Sequence, residues 1–232
     1  MMAVEEADLV IEVPHRMRSI TLEQYQKYMK VLENNKGAES SDFVGMKFVE
    51  IFCSTSLENI KNIHFSVFDK VGSILGEAFK QETPLIRHFK MGEVEFGFMP
   101  NISKMSIGEY IDIEASIGDW NNVHKAMAVL FRPIKKKKGD RYTIKSYSPT
   151  DSVIEAMKQM PLDVVLGARV FFYHLGKDLL SHTLNYLEKE MRQTKDKQIS
   201  QQMQLLAKSG VGINQFIDSL METPQTLKKQ RK

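Results

Sequence analysis

The chain of 232 residues is poor in the groups that enzymes and secreted proteins lean on. It has one cysteine, Cys53. One cysteine excludes an internal disulfide framework and suits a reducing compartment. Beside Ile51, Phe52 and Ser54 it reads as a small buried hydrophobe. No apolar run approaches the roughly 18 residues needed to cross a bilayer. The acidic start, Met1 to Val13, lacks the basic-then-apolar pattern of a secretory signal. Glycine forms no phosphate loop: Gly72, Gly76, Gly92 and Gly97 are scattered. There is no G-x-S-x-G elbow. The six histidines (His15, His64, His88, His124, His174 and His182) make no H-x-H, H-E-x-x-H or Cys-His pattern. His174 and His182 could share a helix face, but leucines dominate it, so core-edge or capping roles outweigh metal binding. Asp112, Glu114 and Asp119, beside Trp120, are the densest carboxylates. Asp112 and Glu114 are two apart and cannot face each other on a helix. They read as an acidic first turn that complements a helix dipole. No catalytic, cofactor-binding or metal-binding residue is expected, and no cofactor.

What is present is a pattern that recurs. Ile20-Thr21-Leu22-Glu23-Gln24-Tyr25 is echoed by Met105-Ser106-Ile107-Gly108-Glu109-Tyr110. Each run is a capping box inside a hydrophobic staple. Thr21 or Ser106 accepts from the N–H of residue 24 or 109, and Gln24 or Glu109 reaches back to the cap's own N–H. Ile20 can pack on Tyr25, and Met105 on Tyr110. Two further blocks repeat in the same order. Gly45 to Phe52 matches His124 to Phe131. Ile63-His64-Phe65-Ser66-Val67-Phe68, through Gly76, matches Met160-Pro161-Leu162-Asp163-Val164-Val165, through Gly176. Three blocks in one order point to a tandem duplication.

The expected fold is mainly α with some β (α+β): two similar helical modules in tandem, one or two small β-hairpins and a C-terminal helical extension. Residues 1–19 form an extended lead. Module 1 covers 20–83, with helices near 21–34, 43–53, 56–62 and 66–80. A hairpin connector covers 84–104, where alternating runs flank Gly92. Module 2 covers 105–192 and carries a lysine-tipped hairpin at 132–147. Helices are expected at about 121–131 and 151–159, then from Leu162 along the stripe Leu179, Leu180, Leu184 and Leu187. Residues 193–232 hold amphipathic helices and a basic tail.

The net charge is +3. Lys135, Lys136, Lys137 and Lys138 supply four positive charges, and Lys228, Lys229, Arg231 and Lys232 four more. The rest of the chain is therefore net acidic, which argues against a dedicated nucleic-acid-binding face. The basic loop and tail allow a weak, salt-sensitive nucleic-acid contact or an electrostatic contact with an acidic partner. With Trp120, a large apolar anchor if exposed, they are the candidate partner-contact residues. Phe171-Phe172-Tyr173 is a second apolar cluster.

The blocks Ile20 to Tyr25 and Pro100 to Ile134, with Gly108-Glu109-Tyr110-Ile111-Asp112 and Met127-Ala128-Val129-Leu130-Phe131-Arg132-Pro133-Ile134, resemble a family of small proteins of tailed bacteriophages. Met160-Pro161-Leu162 and the Leu205 to Phe216 stretch fit as well. The family is largely uncharacterised and is grouped near tail-assembly chaperones and minor virion proteins. The resemblance implies a non-enzymatic protein of the bacterial host cytoplasm, acting by protein–protein contact on phage tail or other virion proteins. A stable structural component of the virion is the alternative, and a nucleic-acid-associated protein a third reading. No membrane contact is expected, and the oligomeric state is left open.

Overall fold

The computed structural model describes residues 1–6, 9–37, 41–148 and 150–193. Among them eight α-helices and two small antiparallel sheets make a mixed α+β fold. Residues Met1–Gly167 form one compact unit, and a second begins at Ala168.

The N-terminal lead is extended but not loose. Strands β1 (Met2–Glu6) and β2 (Leu9–Val13) pair antiparallel, with Val4 opposite Ile11. Alternation puts Val4, Ile11 and Val13 into the core, while Val10 stays outside. A 3₁₀ turn, Met17–Ser19, leads to α1 (Leu22–Asn34), then α2 (Asp42–Cys53), α3 (Leu57–Asn62) and α4 (Phe65–Ala78). Three of these helices start at a hydroxyl that accepts a backbone N–H: Thr21, Ser41 and Ser56. Tyr28, Phe48, Phe52 and Phe79 interlock ring to ring at 5.1–5.8 Å and form the aromatic centre of this half. Cys53 is buried here, and burial pushes its thiol up to about 12, which makes it an inert packing residue.

Strands β3 (His88–Met91) and β4 (Val94–Phe98) turn through Gly92, whose φ of 58° suits a two-residue hairpin. A second 3₁₀ turn, Ile102–Lys104, precedes α5 (Ile107–Glu114) and α6 (Val123–Leu130). The chain passes from α6 straight into β5 (Phe131–Lys138), which turns through Gly139 into β6 (Arg141–Ile144). The hairpins are not separate. Phe98 pairs with Phe131 and Gly97 with Arg132, giving a four-stranded sheet β3-β4-β5-β6. Helix α7 (Asp151–Ala156) and a 3₁₀ turn (Met157–Gln159) lead into α8 (Leu162–Gln193).

The order hairpin, 3₁₀ turn, box-capped helix, helix, short helix, long helix thus occurs twice, with β5, β6 and the Met157–Gln159 turn added in the second pass. Both capping boxes are formed. Gln24 N–H donates to Thr21 Oγ1 at 3.2 Å and Thr21 N–H to Gln24 Oε1 at 2.9 Å. Glu109 N–H donates to Ser106 Oγ at 3.3 Å and Ser106 N–H to Glu109 Oε2 at 2.8 Å.

The two box-capped helices lie in the same compact unit and in different environments. Leu22 and Tyr25 of α1 are buried, whereas Ile107, Tyr110 and Ile111 of α5 are exposed. The staple of α5 therefore ends on a solvent-facing Tyr110. The start of α1 is tied to the start of α8: Leu22 N–H donates to the Met160 carbonyl at 2.9 Å and Leu162 N–H to the Ile20 carbonyl at 2.8 Å. This is an antiparallel bridge between Thr21 and Pro161. Within the second unit, Phe171 and Phe172 meet edge to face at 5.5 Å, and Tyr173 meets His174 at 5.4 Å. The leucine stripe beyond His174 falls on the α8 backbone. The tail residues Lys228, Lys229, Arg231 and Lys232 and the Leu205 to Phe216 stretch lie outside the described residues.

Candidate functional site

A cleft of about 290 Å³ opens where the sheet meets α7. Phe96, Ala128, Phe131 and Met157 make its floor, and all four are buried. Each arrives from a different element. Phe96 comes from β4, and Ala128 from α6. Phe131 is where α6 becomes β5, and Met157 follows α7. Phe131 is fixed by its edge contacts with Phe89 and Phe98, at 5.5 and 5.2 Å. The rim is polar: Lys145, Ser146, Tyr147, Ser148 and Ser152. Val153, on α7, is half-exposed at the opening. Helix α7 is held in place by Thr150, whose hydroxyl accepts from the Val153 N–H.

One wall is electrostatic. Arg132 lines the cleft and pairs with Glu109 at 2.9 Å, both side chains nearly buried. Glu109 does two jobs: one carboxylate oxygen closes the capping box and the other holds the guanidinium. Burial works against its charge, but hydrogen bonds from Ser106 and the Arg132 charge outweigh it and hold the carboxyl below its usual range. The Arg132 Nε is buried and has no hydrogen-bond partner. Tyr147 donates to Asp112 Oδ2 at 2.6 Å. Burial, then that hydrogen bond and the Asp112 charge, push the phenol far up, so it stays protonated. These contacts tie the 145–148 loop and β5 to α5.

The structure corrects the reading of the acidic cluster. Helix α5 starts after Ser106 and ends at Glu114, so Asp112 and Glu114 sit in its last turn. There the dipole disfavours carboxylates, and the Tyr147 hydroxyl offsets this for Asp112. Asp119 instead caps the turn before α6, accepting from Asn121 N–H at 2.9 Å.

The proposed contact residues are spread apart. Trp120 is a core-edge residue and not a free anchor: its ring lies 4.5 Å from Tyr25, and it packs on the first-half core. Lys135, Lys136, Lys137 and Lys138 run along β5 up to the Gly139 turn and are exposed. Lys137 reaches back to Glu95 of β4 at 2.6 Å, and this contact holds that carboxyl below its usual range. Nothing in the sequence singled out Arg132 or Tyr147. Their cue was only the alternation that puts Phe131 inward beside them.

The cleft joins an apolar floor to a polar rim. His124 is buried, with Nδ1 at 3.2 Å from Gln26 Nε2 and Nε2 at 3.7 Å from Glu155. It does not line the cleft. Among the described residues no three His, Cys, Asp or Glu side chains gather as a metal site, and no helix is long and apolar enough to cross a membrane.

No family model, curated protein or solved structure matches the chain. The functional reading therefore rests on the geometry above and on the residues that carry it.

Proposed function

We propose that this protein acts by binding another protein, as a tail-assembly-chaperone-like protein of tailed bacteriophages, and catalyses nothing. The observation that carries this reading is the cleft. Its floor is apolar, its rim carries hydroxyls and an amine, and its wall holds the guanidinium that Glu109 pairs. That lining suits an apolar side chain of a partner, ringed by polar groups at the rim. The partner proposed is a tail or other virion protein met in the host cytoplasm. The blocks Ile20 to Tyr25 and Pro100 to Ile134 supply that setting by their likeness to tailed-phage proteins. The doubled element order and the two capping boxes support a tandem duplication of one helical module. Lys135, Lys136 and Lys138 give β5 an exposed positive tip that steers an acidic partner.

The test is affinity capture of the full chain from infected cells, followed by mass spectrometry. The expected result is a tail precursor captured by the wild type and lost with Val153→Asp, and no copies in mature particles. Stoichiometric copies in purified particles would instead favour a permanent virion component. Salt-sensitive capture of nucleic acid, lost when Lys135 to Lys138 are replaced, would favour the nucleic-acid reading.

A further inference from the structure

The four-stranded sheet ends on an open edge. In the order β3-β4-β5-β6, strand β6 has β5 on one side and, among the described residues, no strand on the other. Gly139, at φ 59°, takes the first position of a two-residue turn, so Lys138 and Arg141 close it as a hydrogen-bonded pair. At the other end Lys145 N–H donates inward to the Pro133 carbonyl at 2.9 Å. Between these inward-facing residues, antiparallel alternation turns the N–H and C=O of Tyr142 and Ile144 outward. Among the described residues no backbone group meets them there. Natural edges are commonly blunted by proline or by charges on the edge strand itself. Between Arg141 and Lys145, β6 has neither: it reads Tyr142-Thr143-Ile144. The strand is held in place by the Tyr142 hydroxyl, which donates to the Phe98 carbonyl at 2.7 Å.

The two faces of this edge differ. A Cβ on Gly97 would meet the Tyr142 ring and Ile134, so both lie on the face of the sheet away from Phe96. Arg141 and Thr143 alternate to the Phe96 face, with Lys138 and Lys136 opposite them in register. Phe96 is part of the cleft floor, and Lys145 lines the cleft. The cations of the hairpin therefore lie on the face of the sheet that carries the cleft. Lys138 directly opposite Arg141 is a like-charge pair, which costs a hairpin stability. Among the described residues Lys137 has Glu95, but no carboxylate pairs with Lys136, Lys138, Arg141 or Lys145. An unneutralised charge thus stands beside an unpaired backbone edge.

We propose that β6 is extended by an acidic strand of the partner protein, added along its open edge. The Tyr142 and Ile144 N–H groups donate to the added strand's carbonyls, and their carbonyls accept from its N–H groups. Its side chains on the cleft's face meet Arg141, Thr143 and Lys145, which suits carboxylates. The alternate side chains meet Tyr142 and Ile144, which suits β-branched apolar residues. Lys145 and Ser146 continue β6 and form the rim, so the added strand leads to the cleft. The inference deepens the cleft reading and rests on it for the class of ligand, a protein. A second copy of β6 does not fit, because two such edges would set cations against cations. A nucleic acid supplies anions but no N–H and C=O ladder for Tyr142 and Ile144.

The probe is a capped peptide in which glutamate alternates with valine and the last residue is leucine. Fluorescence anisotropy measures its binding to the full chain, and amide exchange by nuclear magnetic resonance reads the edge. The expected result is saturable binding, with exchange at Tyr142 and Ile144 slowed at least about tenfold. Two further peptides carry N-methyl groups on either the valine or the glutamate nitrogens. One set faces β6 and should weaken binding at least about tenfold, while the other is tolerated. Exchanging the glutamates for lysines should weaken it as much. Lys138→Glu gives Arg141 a carboxylate across the hairpin, so it should bind the peptide about tenfold less tightly yet melt no lower than the wild type. No binding, unchanged exchange at Tyr142 and Ile144, indifference to both N-methyl sets, or equal affinity for an oligothymidylate would each overturn the proposal. Binding that needs Val153 but leaves the two amides unprotected would remove the added strand and keep the cleft. Protection of the two amides that survives Val153→Asp would keep the added strand and remove the cleft.

Discussion

Glu109 is the residue on which two structural tasks converge. Its folded carboxyl is held below its usual range, so the unfolded state binds the proton first as pH falls. Its contribution is present above the ordinary carboxyl range near 4.5 and is lost as pH drops through the folded value. The stability gap between wild type and Glu109→Gln should therefore shrink on acidification below that range, measured as urea midpoints. Arg132→Leu leaves the carboxylate nearly buried and unpaired, and should cost about 3 kcal/mol at neutral pH. His124 behaves in the opposite chemical sense but the same direction. Burial, then the Lys158 charge, lowers its pKa against the opposing pull of Glu155. The unfolded chain takes that proton first as pH falls below about 6.5, so stability declines there and flattens once the folded imidazole is charged. Denaturant midpoints should fall between pH 7.5 and 5.5 in the wild type and fall less in His124→Gln.

At the scale of elements, much was legible because local chemistry fixes it. Thr21, Ser56 and Ser106 announce helix starts, and Gly92 and Gly139 announce the two-residue hairpin turns. The start of α8 and the inserted hairpin also fall where the pattern puts them. The pairing of β4 with β5 was not legible. Residues 96–98 and 131–133 are separated by two helices, and no local signal encodes a register that packing alone selects. The hairpin β1–β2 hid for another reason. Its strands alternate over only five residues each, within a run that reads as merely acidic. The sheet offers its own test at Gly97. A Cβ there would sit 2.5 Å from the Tyr142 ring and 3.0 Å from Ile134 Cγ1. That ring lies across the strand so that its hydroxyl can donate to the Phe98 carbonyl at 2.7 Å. Gly97→Ala should cost about 2 kcal/mol through this overpacking, read in denaturant melts. Tyr142→Phe keeps the ring and should lose only about 1 kcal/mol.

At the scale of the whole molecule, the question is whether the two halves of residues 1–167 fold as one. A duplicated sequence pattern suggests separable modules, and the packing argues otherwise. Trp120 follows α5 yet packs its tilted ring against Tyr25 of α1, and its backbone carbonyl accepts from Gln26 Nε2 at 2.7 Å. The Thr21–Pro161 bridge closes the ends of the unit on each other. The cleft was illegible in the sequence because its floor gathers β4, α6, β5 and the end of α7, which only the pairing of β4 with β5 and the packing of α6 and α7 bring together. Trp120 is the single tryptophan, so its fluorescence reports the seam between the halves directly. Thr21→Ala weakens a cap in the first half and Ser106→Ala one in the second, each by about 1 kcal/mol. In one cooperative unit either change lowers the same Trp120 transition, by about 2–4 °C for a domain of this size. The double variant should shift that transition by the sum, since the caps share no partner. If Trp120 followed only one of the two substitutions, or if fluorescence and far-ultraviolet dichroism melted apart, the halves would be independent modules. The seam would then be a docking contact and not a core.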